Sequence, residues 1–244
     1  MIKLIVSDFD GTLLPYGDAS LSADVKALLQ KAFDAGKTVV ISSGRTYGEL
    51  LPYVSEFADR LHFLCCDGAY AVYRGETQYE RKIEPEDLRY FFTQAERAGC
   101  AFLLHGIKST YAVGNIPAQH GFADAIPLSR VDEIPEKIFK ITSFCHAVKL
   151  PAYGGLRLHW DGGAKIAQYV NRFANKGTAL SDLQMRLILE GFDTACLGDS
   201  DNDIAMMRGA KESWCIGERS AALRAVCNRH APTAAEALRS ILGK

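Results

Sequence analysis

Two carboxylates separated by a single residue, in Asp8-Phe9-Asp10-Gly11-Thr12, are the first reactive grouping met along this chain. The string follows directly on Ile2 to Val6, a short apolar run rich in β-branched residues, so it lies in the loop leaving a buried strand. Four fixed positions at ordinary usage of about 5 to 7% each arise by chance in roughly one chain of this length in several hundred. One reading is an Asx-type turn in which Gly11 supplies a positive φ. The other requires a partner that keeps two neighbouring carboxylates ionised near neutral pH. A hard divalent cation with oxygen ligands does this, and Mg²⁺ fits best.

A second acidic loop, Gly198-Asp199-Ser200-Asp201-Asn202-Asp203, follows another short apolar run. An acidic helix N-terminus accounts for one such residue through the macrodipole. Three acids exceed what capping requires, and if both loops share one sheet edge they form a strongly negative pocket suited to a metal. Lys176, in Asn175-Lys176-Gly177-Thr178, stands near a helix start where a cation is disfavoured. It either meets an anion or is solvated. Ser43-Gly44-Arg45 offers a hydroxyl, a flexible backbone N–H and a guanidinium, donors that suit a phosphoryl oxygen.

The elements that carry these loops alternate. After the first strand, Ser22 reads as an N-cap, with Val25, Leu28, Leu29 and Ala32 at helical spacing and Gly36 past the end. Thr38 to Ile41 reads as a strand, about Thr46 to Ala58 as a helix and His62 to Cys66 as a strand. This pattern specifies an α/β fold, a Rossmann-like doubly wound parallel sheet whose ligands bind beyond the carboxyl ends of its strands. The texture then changes. Tyr70 to Lys82 resembles a hairpin, Pro85 opens a helix ending before Gly99, and apolar alternating segments follow at 101–104, 110–113, 138–144, 147–150 and 156–160. An inserted α+β unit is expected there. The α/β pattern resumes with a helix over about Gly177 to Leu189, strands at Thr194 to Leu197 and Trp214 to Ile216, and a capping box at Thr233 and Glu236.

Composition narrows the function. With 244 residues and a net charge of −1, the chain has no general pull toward nucleic acid or anionic lipid, and it carries no basic stripe with interleaved aromatics. No apolar run approaches a membrane span. Seven scattered cysteines without a C-x-x-C pair argue against a zinc site or a disulfide framework, and a reduced, cytoplasmic protein is expected. The six histidines show no ligand spacing, although His105, His159 and Trp160 are candidate substrate contacts on the insert. Met206 and Met207 sit at helical core spacing. The sequence does not specify the oligomeric state.

Taken in order, Asp8-Phe9-Asp10-Gly11-Thr12, Ser43-Gly44-Arg45, Lys176 and Gly198-Asp199-x-x-Asn202-Asp203 resemble the four motifs of the haloacid dehalogenase superfamily of Mg²⁺-dependent phosphohydrolases. The insert between the second and third motifs, preceded by Asp67-Gly68-Ala69, looks like the cap of the Cof-type, subclass IIB branch. The resemblance implies a discontinuous core at 1–81 and 173–244 and an α/β cap at 82–172 that sets substrate specificity. It implies that Asp8 is the nucleophile forming an aspartyl-phosphate and that Asp10 protonates the leaving oxygen and later activates water. Mg²⁺ would be held by Asp8, the Asp10 carbonyl and Asp199, with Asp203 supporting the metal shell and Lys176. Ser43, Gly44, Asn202 and Lys176 would bind phosphoryl oxygens, and Arg45 would face the leaving group.

The family often has Asn where this chain has Asp67, which either contacts a substrate amine or hydroxyl or caps the turn. The implied activity is a phosphatase acting on a small phosphorylated metabolite, sugar phosphates being the broadest expectation, with the cap excluding water. A phosphomutase using the same intermediate and a noncatalytic phospho-ligand sensor are the alternatives.

Overall fold

The computed structural model describes residues 1–116, 125–144, 154–161 and 166–243. The first elements are β1 (Leu4–Ser7), α1 (Ala23–Asp34), β2 (Thr38–Ser42), α2 (Tyr47–Val54), β3 (Leu61–Cys65), β4 (Tyr70–Tyr73) and β5 (Glu76–Glu80). Next come α3 (Pro85–Arg97), β6 (Phe102–His105), β7 (Thr110–Val113), β8 (Ile126–Pro127), β9 (Lys140–Ser143), β10 (Leu156–Asp161) and β11 (Ile166–Asn171). The chain closes with α4 (Lys176–Leu187), β12 (Thr194–Gly198), α5 (Ile204–Met207), β13 (Glu212–Ile216), α6 (Ala221–Val226), β14 (Arg229–Ala231) and α7 (Ala234–Leu242). Two compact units result, one of Met1–Arg45, Glu49–Tyr79 and Asn175–Lys244, the other of Thr46–Gly48 and Glu80–Ala174.

The first unit is built on an eight-stranded sheet of order β14-β13-β12-β1-β2-β3-β4-β5. From β14 to β3 every pairing is parallel. Strands covered on both faces must be apolar almost throughout, and Leu4, Ile5, Val6, Val40, Ile41, Ala195, Cys196 and Leu197 are all buried. Helix α1 starts where Ser22 accepts from the Val25 backbone N–H at 3.2 Å, and it buries Val25, Leu28, Leu29 and Ala32. Met206 and Met207 belong to the core beside Leu4, Val6 and Cys196. The antiparallel β4 turns back through Arg74 and Gly75, both at positive φ, the backbone that a two-residue hairpin demands. Pro52 lies inside α2, which ends at Val54 and passes into a 3₁₀ turn at Ser55–Phe57 rather than running unbroken to Ala58.

The second unit is a six-stranded sheet of order β10-β11-β9-β6-β7-β8, antiparallel except for the β7–β8 pair. Alternation gives it two unlike faces. Phe102, Leu104, Tyr111, Ile141, Leu156 and Tyr169 pack with Leu88, Phe91 and Ala95 of α3. The register puts His105, Thr110, Lys140, Thr142, Arg157, His159 and Gln168 on the opposite face. Strand β11 is absent from the sequence reading, and the expected segment at 147–150 lies outside the described residues.

One expectation is corrected here, and two candidate contacts on the insert are placed. Cys100 is disulfide-bonded, so the cysteines are not all reduced, whereas Cys65, Cys66, Cys196, Cys215 and Cys227 are free. His105 is buried, with Nε2 2.9 Å from Thr142 Oγ1 and Nδ1 3.4 Å from Thr110 Oγ1, and Trp160 packs on the apolar cluster of its unit. No described helix is long and apolar enough to cross a membrane.

Candidate active site

Because β12, β1 and β2 are adjacent and parallel, the loops leaving their carboxyl ends emerge at one edge of the sheet. Asp8 is the first residue past β1, and its backbone N–H still donates to Leu197 O at 2.9 Å, so the ladder fixes its position. Asp199 is the first residue past β12 and Ser43 the first past β2. Lys176 is the first residue of α4, whose N-cap Asn175 accepts from the Thr178 backbone N–H at 2.9 Å.

These elements converge on one buried cluster. Lys176 Nζ donates to Asp8 Oδ1 at 2.5 Å and to Asp203 Oδ1 at 2.7 Å, and its side chain is only 1% exposed. The solvated alternative for this lysine is thereby excluded. Asp203 Oδ2 accepts from the backbone N–H groups of Asp199 and Ser200, each at 3.1 Å, which closes the acidic loop on itself. Thr12 Oγ1 lies 3.4 Å from both Asp8 Oδ2 and Asp199 Oδ1, so those two oxygens face a common point. Gly11 and Gly198 make room: a Cβ on Gly11 would lie 2.5 Å from Asp199 Oδ2, and one on Gly198 2.5 Å from Asp203 Oδ2. Gly11 also has φ +81°, so the turn and the acidic cluster coexist in one loop.

Asp8, Asp199 and Asp203 each offer a carboxylate oxygen within 4.8 Å of the others, all buried. Three carboxylates share the Lys176 ammonium and one exposed guanidinium, Arg219, 3.9 Å from Asp199, which leaves an excess of negative charge in a buried site. Burial pushes the Asp8 carboxyl well above its ordinary range; Lys176 opposes the shift, and Asp203 and Asp199 add to it. Asp199 is likewise raised, by burial and by Asp203. For Lys176 burial favours the neutral amine, but Asp203 and Asp8 outweigh it and the net shift is upward. An all-oxygen donor set with uncompensated charge fits a hard divalent cation.

The remaining residues singled out in the sequence fall nearby with different partners. Arg45 grips Asp10 through two hydrogen bonds, Nε to Oδ2 at 2.9 Å and Nη2 to Oδ1 at 2.6 Å, so the Asp10 side chain is turned to Arg45 and is not one of the three clustered carboxylates. Ser43 is buried, and its Oγ accepts from the Arg45 backbone N–H at 3.1 Å. Gly44 links them. Asn202 Nδ2 donates to Asp67 Oδ1 at 3.2 Å, and Ser200 Oγ donates to Asn202 Oδ1 at 2.6 Å. Asp67 sits at φ 56°, ψ 35° and therefore shapes its turn while its carboxylate orients Asn202.

Tyr16, Arg219 and Tyr53 are absent from the sequence reading. Tyr16 OH donates to Asp199 Oδ2 at 3.1 Å, Arg219 Nη1 lies 3.9 Å from that same oxygen, and the Arg45 guanidinium lies 4.9 Å from the Tyr53 ring. Arg219 was findable, since it lies just beyond β13, another parallel strand whose carboxyl end opens beside β12. Tyr16 lies in an irregular stretch with no periodic signal.

A family model described as haloacid dehalogenase-like hydrolase matches residues 5–237. The 5-amino-6-(5-phospho-D-ribitylamino)uracil phosphatase YbjI of Escherichia coli K12 is 22% identical over 248 residues, covering 94% of this chain and 90% of its own. The solved structure of SMU.1108c from Streptococcus mutans UA159 superposes with a TM-score of 0.88 at 19% identity over the whole of both chains. That of the subclass IIB sugar phosphatase BT4131 gives 0.83 at 19% identity over 98% of each.

Proposed function

The chain belongs to the haloacid dehalogenase-like hydrolases, with a subclass IIB-type fold, and on that premise we propose that it is a Mg²⁺-dependent phosphatase of small phosphomonoesters. The observation that carries this reading is the contrast between two carboxylates two residues apart. Asp8 is buried and held at 2.5 Å by Lys176 inside an acidic cluster, whereas Asp10 is part-exposed and held by the long side chain of Arg45. One is suited to act as a nucleophile and the other as an acid and base.

In the proposed reaction an Asp8 oxygen attacks phosphorus as the bond to the leaving oxygen breaks, and Asp10 gives that oxygen a proton. Water then attacks the phosphorus of the acyl phosphate, Asp10 takes its proton, and inorganic phosphate leaves with Asp8 restored as a carboxylate. Lys176 keeps Asp8 oriented and offsets charge as the dianion approaches; Ser43, Gly44 and Asn202 offer donors to the phosphoryl oxygens. Mg²⁺ held by Asp8, Asp199 and the Asp10 carbonyl, with Asp203 behind them, supplies further neutralisation of the phosphoryl charge when bound.

In this reading residues 1–81 and 173–244 carry the chemistry, and 82–172 select the leaving group. The leaving group proposed is hydrophilic, such as a sugar or polyol. One relative is by name a sugar phosphatase and another acts on a phosphoribitylamino compound. The same reading extends to a cytosolic enzyme whose partner is a small phosphorylated molecule rather than nucleic acid or membrane.

The test is phosphate release from p-nitrophenyl phosphate and a panel of sugar and polyol phosphates, with Mg²⁺ and with EDTA. Turnover is expected to require the metal and to fall at least about 10³-fold in Asp8→Asn. Metal-dependent turnover that survives in Asp8→Asn overturns the mechanism.

A further inference from the structure

The hydrolytic steps make no use of Tyr16 or Arg219, yet the two converge on one atom of a metal-site carboxylate. Tyr16 OH donates to Asp199 Oδ2 at 3.1 Å. Its ring lies against the active-site loop so closely that a Cβ on Gly11 would collide with Tyr16 Cε2. The Arg219 guanidinium lies 4.5 Å from the centre of the same ring, and its Nη1 lies 3.9 Å from Asp199 Oδ2. The phenol and the guanidinium come from loops after different strands, β1 and β13. The opposite oxygen, Asp199 Oδ1, faces Asp8 Oδ2 across the Thr12 hydroxyl.

We propose that Tyr16, seated against Arg219, occupies Asp199 Oδ2 so that Asp199 presents a single oxygen to the cation, and that this pair makes the site select Mg²⁺ over Ca²⁺. The inference rests on the reading of the acidic cluster as a divalent-cation site. Ca²⁺ gathers roughly six to eight oxygens and commonly takes both oxygens of a carboxylate, whereas Mg²⁺ demands a near-octahedral shell of fewer oxygens. A phenol hydrogen-bonded to one oxygen competes for its lone pairs and crowds it, so chelation through both oxygens is penalised. The cost falls on the larger cation. Tyr16 and Arg219 are thus positioning residues, touching the ligand and not the reacting atoms.

The test reads cation binding directly, without turnover. Mn²⁺ binding to the full-length protein is followed by electron paramagnetic resonance, and Mg²⁺ and Ca²⁺ are titrated against it to give a ratio of competition constants. Tyr16→Phe keeps the ring and removes the hydroxyl; its ratio is expected to shift toward Ca²⁺ by about tenfold, the scale of one hydrogen bond to a charged group. Arg219→Gln, which frees the ring without touching the hydroxyl, is expected to shift the ratio the same way by less. A wild type that binds Mn²⁺ and a Tyr16→Phe ratio within twofold of it overturn this inference alone. A wild type that binds no Mn²⁺ overturns the cation site and this inference together.

Discussion

Arg45 holds both oxygens of Asp10 in a fork, at 2.6 and 2.9 Å, while its guanidinium lies 4.9 Å from the Tyr53 ring and 5.4 Å from the Phe9 ring. The aromatic pair restrains the arginine, and the arginine fixes the plane of the carboxylate. Asp10 and Arg45 are both partly exposed, so the pair adds little to stability. Its consequence is directional: it fixes the plane of the carboxylate to which the proposed reaction gives the acid and base role.

Arg45→Lys keeps the charge and loses the fork. We expect kcat to fall about ten- to a hundredfold on an alkyl phosphate, whose alkoxide leaving group depends on protonation, and clearly less on p-nitrophenyl phosphate. Equal losses on the two substrates would mean that Arg45 acts on the phosphoryl group and not through Asp10. The comparison of kcat ratios decides.

Lys176 is the only cation within 3 Å of Asp8 and Asp203 among the described contacts. Lys176→Met leaves two buried carboxylates without their counter-charge, a change that typically costs about 3 to 5 kcal/mol. Urea unfolding of the metal-free protein should report a loss of that size. With saturating Mg²⁺ the loss should shrink, since the variant's carboxylates, having lost the Lys176 ammonium, bind a cation more tightly than the wild type's and gain more stability from it. The same loss with and without Mg²⁺ counts against a cation beside these carboxylates.

Asp67 hydrogen-bonds Asn202 through Oδ1, an atom that asparagine also possesses. If orientation of the Asn202 amide is what matters, Asp67→Asn keeps KM near the wild-type value and Asp67→Ala raises it about three- to tenfold. Should Asp67→Asn weaken binding as much as Asp67→Ala, the carboxylate charge itself is used, for which a substrate amine is the natural partner. Steady-state kinetics on the preferred substrate measure both.

How much of this was readable from the chain follows from the physics of each part. Strands β1, β2 and β12 are buried on both faces, so each appears as a short apolar run followed at once by a polar loop. Lys176 stood out because a cation at a helix start is misplaced unless an anion meets it, and Asp8 and Asp203 do. What the linear order hides is adjacency. The neighbouring positions of β12 and β1 bring Asp199 to Asp8 across most of the chain, and only that topology puts Tyr16 and Arg219 on one carboxylate oxygen. Strand β11 alternates only in part, Ala167 and Tyr169 joining the apolar cluster and Gln168 opposite them, while Val170 is buried on the Gln168 face; it also lies at the end of the insert, where the expected return to helices masked it.

His62 stands on β3 opposite Tyr73 of β4, the two rings stacked with centroids 4.0 Å apart and planes within 4°. Burial lowers its imidazole from the ordinary 6.5 to about 4. The unfolded chain therefore takes up this proton at a pH where the folded chain does not, and stability present above pH 6.5 is lost as pH falls through about 4. His105, lowered by burial and by Lys140, acts with the same sign, whereas the raised Asp8 acts oppositely. A difference between two proteins that share those groups isolates His62. His62→Phe preserves the ring stack and cannot titrate, so the stability of wild type relative to this variant should be flat above pH 6.5 and fall steadily below it. Melting curves of the metal-free proteins from pH 7.5 to 4.5 measure that difference, and parallel curves throughout would show that the folded protein protonates His62 as readily as the unfolded chain does.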